Sequence, residues 1–179
     1  MGRSKVELPF GDSTFVARAI DRARDVFDRV YAVQRDGGAP AAGVETIFEP
    51  PHDDEAPAFG VLRALEHAGV RCFVMAVDYP LMTTEVLGYL ARRAEASPAS
   101  LVAPRWSERL QMLCAGYDAA ALAPRLAARM RGGRFDLRGL AAEVETEVIQ
   151  EDELRARFEG EPLMNVNTPE ELQEARKLL

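Results

Sequence analysis

Apolar positions along this chain recur in two alternating rhythms. From Ser13 to Phe27, Phe15, Ala19, Ile20, Ala23 and Phe27 return at three- and four-residue steps with Asp21, Arg22, Arg24 and Asp25 between them. That spacing predicts an amphipathic helix, capped by Ser13 or Thr14. Val30-Tyr31-Ala32-Val33 reads as a short strand ended by Asp36-Gly37-Gly38-Ala39-Pro40, and Val44 to Phe48 as a second strand. Between Glu49 and Pro57, three prolines and four acids exclude regular structure. Phe59, Leu62, Ala64, Leu65 and Ala68 then give a helix closed by Gly69. Cys72-Phe73-Val74-Met75-Ala76-Val77 is a continuous apolar run of strand length, as expected for a strand buried on both faces.

The alternation continues to the end of the chain. Thr84 to Ala96, Asp118 to Met130, Asp136 to Glu143 and Asp152 to Phe158 read as helices; Ser100 to Ala103, Leu110 to Gly116 and Val144 to Ile149 read as strands. Thr168, Pro169 and Glu171 have the spacing of a helix start with a capping box. Strand and helix in turn imply an α/β fold, a three-layer Rossmann-like sandwich with a mostly parallel sheet, and 179 residues fit one domain, 1–179.

Composition narrows the function. No apolar run approaches the roughly 20 residues of a spanning helix, and no signal peptide is visible, so a cytoplasmic protein without a membrane partner is expected. The net charge is −7, and the basic residues, almost all arginine, are dispersed. Nonspecific nucleic-acid binding needs a basic face and is excluded. Cys72 and Cys114 both sit in apolar runs and read as buried reduced thiols; His52 and His67 lack ligand spacing, so any metal would be held by oxygen.

In an open parallel sheet, ligands bind beyond the carboxyl ends of the strands. Asp78 emerges from an apolar strand just before Tyr79-Pro80, where its carboxylate can hold Mg²⁺ together with waters and phosphate oxygens, or can cap the helix starting near Thr83. Asn165 and Asn167, two apart, project from one side if extended; they can bind a polar ligand or metal-bound water, or complete an Asx turn into the last helix. Lys5, near Gly2 and Ser4, is either a phosphate contact or a solvated lysine, and Arg134 after Gly132-Gly133 is a similar case. No Ser/His/Asp or Cys/His arrangement can be drawn.

Taken together, these segments resemble the MobA-type molybdenum cofactor guanylyltransferases among the α/β nucleotidyltransferases. Met1-Gly2-Arg3-Ser4-Lys5 is similar to the end of that family's phosphate-binding loop, M-G-x-x-K. Ala56-Pro57-Ala58-Phe59-Gly60 after the acidic Glu49 resembles G-P-L-A-G, with Ala56 and Phe59 as departures. Val77-Asp78-Tyr79-Pro80 resembles C-D-M-P. Arg109 to Tyr117 is similar to R-x-Q-P-L-C-A-L-Y, with Met112 in place of proline, and Asn165 to Leu172 matches N-V-N-T-P-E-E-L.

The resemblance implies attack by the terminal phosphate of molybdopterin on the α-phosphate of GTP, with release of pyrophosphate. It assigns catalytic roles to Lys5, Asp78, Asn165 and Asn167, nucleotide contacts to Gly2, Lys5, Glu49, Pro57 and Gly60, and a Mg²⁺ ligand to Asp78. GTP and molybdopterin are the implied substrates, with molybdenum-insertion proteins as candidate partners. A non-catalytic binding module on this scaffold, or transfer with another base or acceptor such as CTP or a sugar phosphate, are the alternatives. The family's loop is preceded by a central strand, so the resemblance also carries the expectation that the natural polypeptide starts upstream, with Met1 as the loop's internal methionine.

Overall fold

The structure, a computed structural model, describes residues 9–35, 40–50 and 56–178. It begins with a small hairpin, β1 (Pro9–Phe10) and β2 (Ser13–Thr14), turned at Gly11 with a φ of 63°. Helix α1 (Phe15–Val26) follows, and of its two candidate caps Thr14 is the one used: its side chain accepts from the Ala17 amide at 3.2 Å. Strands β3 (Tyr31–Arg35) and β4 (Glu45–Glu49) pair in parallel. Helix α2 (Ala58–Ala68) ends on Gly69 in the left-handed conformation, φ 63°, as the sequence predicts.

The main sheet is built from β5 (Arg71–Met75), β6 (Leu101–Trp106), β8 (Cys114–Asp118) and β9 (Thr146–Ile149), with the short β7 (Arg109–Leu110) turned back on β6. Strand β9 runs parallel to β6, whereas β8 lies antiparallel between β5 and β6. Helices α3 (Thr84–Ala96), α4 (Ala119–Arg131), α5 (Leu137–Glu143), α6 (Glu151–Arg155) and α7 (Pro169–Lys177) complete the α/β order.

The stretch Leu110 to Gly116, expected as one strand, is divided. Gln111 to Leu113 forms a turn closed by the Cys114 amide on the Gln111 carbonyl at 2.9 Å. Two local attractions outweigh the strand propensity there. Met112 is drawn into the core, and the Gln111 side-chain amide donates to the Trp106 and Arg109 carbonyls.

Period-two alternation sends each strand's side chains into two different cores, which gives the three layers. Leu101, Ala103, Ala115 and Tyr117 face Leu65, Leu122, Leu126 and Leu140 on α2, α4 and α5. Val102, Trp106 and Cys114 face Val86, Leu87 and Leu90 on α3. Helix α3 lies so close to β8 that a Cβ on Gly116 would overlap that of Ala94, so only glycine fits. A third, smaller cluster of Phe10, Phe15, Val166 and Ala175 fastens the hairpin and α1 to the segment leading into α7.

Strand β5 departs from the expectation of full burial. Cys72 and Val74 do pack on the first core and Phe73 and Met75 on the second, yet every residue of β5 is only half-buried. Among the described residues it is an outer strand of its sheet, as β3 and β4 both are of the two-stranded one, and α2 packs against all three. No helix among the described residues is long and apolar enough to cross a membrane.

Candidate active site

Asp78 lies three residues beyond β5, in a turn that carries the chain towards α3. The turn is fastened on several sides. The Ala76 amide donates to the Leu113 carbonyl at 2.7 Å and the Met82 amide to the Tyr79 carbonyl at 3.1 Å. Arg22 of α1 donates from Nη1 to the Pro80 carbonyl at 3.1 Å. Burial, with the like charge of Arg18 adding to it, holds the Arg22 guanidinium down at about 10. Helix α3 is capped by Thr83, whose hydroxyl accepts from the Val86 amide at 3.3 Å, so the capping alternative for Asp78 is taken by another residue.

The segment containing Asn165 and Asn167 meets this turn directly. The Val166 amide donates to the Asp78 carbonyl at 3.0 Å while the Val166 side chain is buried in the third cluster. Asn165 is half-buried and Asn167 exposed on either side of it. At the start of α7, Thr168 and Glu171 form a complete capping box. The Glu171 carboxylate accepts from the Asn167 amide at 2.6 Å and the Thr168 amide at 2.9 Å, which fixes how the segment enters the helix.

Asp78 Oδ1 and Asn165 Oδ1 are both buried oxygens, and Asn165 Oδ1 accepts no hydrogen bond from the described residues. Next to Asp78 stands Tyr79, 4% exposed. Its hydroxyl donates to Gln111 Oε1 at 3.2 Å. Burial, with Cys114 and the Asp78 carboxylate nearby, pushes the phenol far above its ordinary range, so it stays protonated.

Glu49 and Gly60 form a second group, at the carboxyl end of β4 and the first turn of α2. A Cβ on Gly60 would lie 2.9 Å from Glu49 Oε1, so the missing side chain makes room for the carboxylate. Pro57 occupies the N-cap position of α2 without a side-chain cap bond. Phe59, a departure from the family motif, stacks on Phe135 with ring centroids 5.4 Å apart. Gly2 and Lys5 lie outside the described residues, as do His52 and the acids from Asp53 to Glu55.

The donor set favours a hard cation. No three His, Cys, Asp or Glu side chains converge among the described residues. Asp78 and the Asn165 amide oxygen could offer oxygen donors to a divalent ion that keeps waters and takes phosphate oxygens from its ligand. Both cysteines are free thiols held up by burial, Cys114 completely enclosed and Cys72 pushed up to about 11.

Three residues that frame the site were not singled out by sequence reasoning. Arg22 sits on the polar face of α1, Tyr79 was read only as part of a motif, and Gln111 fell inside an expected strand. The signal available for Gln111 was a lone amide side chain between Leu110 and Met112, too weak to be distinctive.

Residues 1–146 match the MobA-like NTP transferase domain. A probable molybdenum cofactor guanylyltransferase of Mycobacterium tuberculosis is 34% identical across 94% of this chain and 83% of its own length. The structure of molybdopterin-guanine dinucleotide biosynthesis protein A from Archaeoglobus fulgidus shares the fold with a TM-score of 0.82 at 22% identity, over 98% of this chain and 90% of that one. The 2-C-methyl-D-erythritol 4-phosphate cytidylyltransferase of Thermus thermophilus shares it at 0.73 and 19% identity, over 97% and 93% of the two chains. A manganese complex of Rv0371c from Mycobacterium tuberculosis does so at 0.69 and 16% identity, over 98% and 93%. With the family domain covering most of its length, the chain belongs to the MobA-like NTP transferases.

Proposed function

We propose that this protein transfers GMP from GTP to the terminal phosphate of molybdopterin, releasing pyrophosphate. The observation that carries the reading is the 34% identity to a molybdenum cofactor guanylyltransferase along 94% of the chain. The geometry agrees with it, since the Asp78 turn and the Asn165 segment, far apart in sequence, are joined at the Val166 amide. Phosphoryl chemistry of this kind asks the protein for positioning and charge neutralisation rather than for a covalent intermediate.

Asp78 and Asn165 supply oxygen donors for Mg²⁺, which neutralises phosphate charge when bound. Lys5 and the backbone at Gly2 contact the GTP phosphates. Glu49, Pro57 and Gly60 border the nucleotide, and Asn167, exposed beside the Asp78 turn, meets the incoming pterin phosphate. The protein works as one cytoplasmic nucleotidyltransferase unit, with molybdenum-insertion proteins as its partners.

The test is a melting-temperature shift. GTP with Mg²⁺ raises the midpoint of the wild-type protein, CTP with Mg²⁺ raises it less, and Asp78→Asn removes the shift while leaving far-UV circular dichroism unchanged. An equal shift in Asp78→Asn would overturn the assignment of the site, and an equal response to CTP would overturn that of the base.

A further inference from the structure

Helix α1 carries Arg18 and Arg22 one turn apart, a spacing that puts their Cβ atoms about 5–6 Å from each other. Neither guanidinium forms an ion pair among the described residues, although Asp21 stands between them in sequence and Asp25 three positions beyond Arg22. Asp25 is engaged by the Thr84 hydroxyl, which donates to its Oδ2 at 3.2 Å, and Asp21 is the weakest of three influences on the Arg22 charge, behind burial and Arg18. Arg22 spends one of its donors on the Pro80 carbonyl at 3.1 Å, and a guanidinium has more to offer. Arg18 lies over the Phe10 ring, 5.4 Å from its centroid, and its Nε is a buried donor that meets no acceptor among the described residues. The helix itself adds positive potential here, because its first turn holds no acid. Both arginines are half-buried, so a ligand can still reach them from solvent.

Like charges held together and partly out of water are unfavourable, and an anion placed between them offsets the repulsion. A carboxylate matches one guanidinium and leaves the other; a phosphate monoester carries about −1.5 to −2 at neutral pH and has oxygens for both forks. Position decides which phosphate. Phe10, under Arg18, packs in one cluster with Val166, whose amide is tied to the Asp78 carbonyl, and Arg22 holds Pro80 two residues further on. The pair therefore stands with the Asp78 turn and the Asn165 segment, while Glu49 and Gly60 form a separate group on β4 and α2. We propose that Arg18 and Arg22 form a seat for the phosphate dianion of the acceptor substrate, holding it beside the Asp78 turn. The choice of the acceptor rests on the reaction proposed above; the seat for a phosphate dianion does not.

The seat is tested with phenyl phosphate, a stable monoester, titrated by isothermal calorimetry at fixed ionic strength. Wild-type protein should bind it, and Arg18→Gln should bind about tenfold more weakly. Gln keeps an unbranched stem over Phe10, so the fold survives, and Arg18→Lys, which restores the charge without the fork, should recover part of the affinity. Arg24→Gln removes the same charge from the same helix at a position that serves the Gly43 carbonyl, and should stay within about twofold of wild type. Equal losses in Arg18→Gln and Arg24→Gln would reduce the effect to net charge and overturn the seat, as would unchanged binding in Arg18→Gln.

A second titration asks whose phosphate the seat takes. With GTP and Mg²⁺ at saturation, phenyl phosphate should still bind to wild-type protein within about twofold of its affinity without nucleotide, because the two ligands occupy different places. Displacement of phenyl phosphate by GTP would overturn the assignment to the acceptor. Wild-type protein that shows no response to GTP with Mg²⁺ would sink the proposed function instead, and the titration without nucleotide would still decide the seat.

Discussion

The Glu49 carboxylate occupies the space that a side chain at Gly60 would need: a Cβ there would come within 2.9 Å of Glu49 Oε1 and 3.9 Å of Val33 Cγ1. Gly60 is the third residue of α2, where alanine would favour the helix by about 0.5–1 kcal/mol. The neighbour in the way is the far end of a flexible side chain, so the fold can yield cheaply. Gly60→Ala should leave the melting temperature unchanged or raise it while displacing Glu49. The KM for GTP is expected to rise several-fold. Thermal melts and steady-state kinetics on one preparation check the two opposite signs, and a lowered melting temperature with unchanged KM would contradict them.

Arg22 joins α1 to the Asp78 turn through the Pro80 carbonyl at 3.1 Å, and burial together with Arg18 disfavours its charge. Two effects therefore oppose each other when it is removed. Losing a charged donor costs about 1.5–3 kcal/mol, and because Arg22 is only half-buried, relief of its disfavoured charge offsets part of that. Arg22→Met should melt within a few degrees of wild type, yet turn over GTP about tenfold more slowly because the turn has lost its tether. Arg22→Lys keeps the disfavoured charge without the reach, so it should be the less stable of the two. Melts that rank Met below Lys would refute this balance.

How much of this was legible in the sequence depended on whether the determinant was local. Thr14, Gly69 and Thr168 were readable because caps are decided by one residue and its neighbours three or four positions away. The apolar run at Cys72 to Val77 was rightly a strand, but its partners come from elsewhere in the chain, so its place at the sheet's outer edge was not readable. Asp78 and Asn165 each stand in a motif; that Val166 fastens the two segments together is a contact between residues 88 positions apart, which no local pattern carries. Gln111 was hidden for a related reason. Its side chain competes with the backbone ladder, and the competition is settled by the Trp106 carbonyl that the β6–β7 hairpin brings round.

Cys72 gives a pH signature. Burial raises its thiol from 9.0 to about 11 in the folded protein. The unfolded chain thus loses this proton first, and the thiol's contribution to stability is complete below pH 9 and disappears as pH rises to 11. At pH 8 the folded protein should react with iodoacetamide about 100-fold more slowly than the urea-unfolded chain. Cys72→Ala should flatten the fall in stability between pH 9 and 11. A labelling midpoint near pH 9 in the folded state would count against the burial argument.

Trp106 is the single tryptophan, 2% exposed, and it connects the end of β6 with α6. Its indole N–H donates to Glu161 Oε2 at 3.2 Å, and the Arg155 guanidinium lies 4.2 Å from the ring centroid while pairing with Glu161 at 3.0 Å and Glu151 at 2.8 Å. Arg155 is well exposed, so its ion pairs are screened and the stacking contact adds little more. Arg155→Ala should cost about 1–2 kcal/mol in all. The wild-type fluorescence maximum should be blue-shifted and should move red in the variant as water reaches the ring. An unmoved maximum would place the cover of Trp106 elsewhere.

The capping box at Thr168 separates stability from function in the Asn165 segment. Thr168→Ala removes the bond from the Glu171 amide, 3.1 Å in the folded protein, and should cost about 1 kcal/mol, a fall of about 2–4 °C in melting temperature. Asn165 lies upstream of that bond and is held by other means: Val166 is 3% exposed in its core cluster and its amide is tied to the Asp78 carbonyl. GTP affinity should therefore stay within about twofold of wild type in Thr168→Ala. Glu171→Ala differs, because its carboxylate also accepts from the Asn167 amide, and losing it frees the chain one residue beyond Val166. That variant should lose both melting temperature and turnover. If Thr168→Ala weakened GTP binding as much as Glu171→Ala, then α7 itself, and not the Val166 tether, would be what holds Asn165 in place.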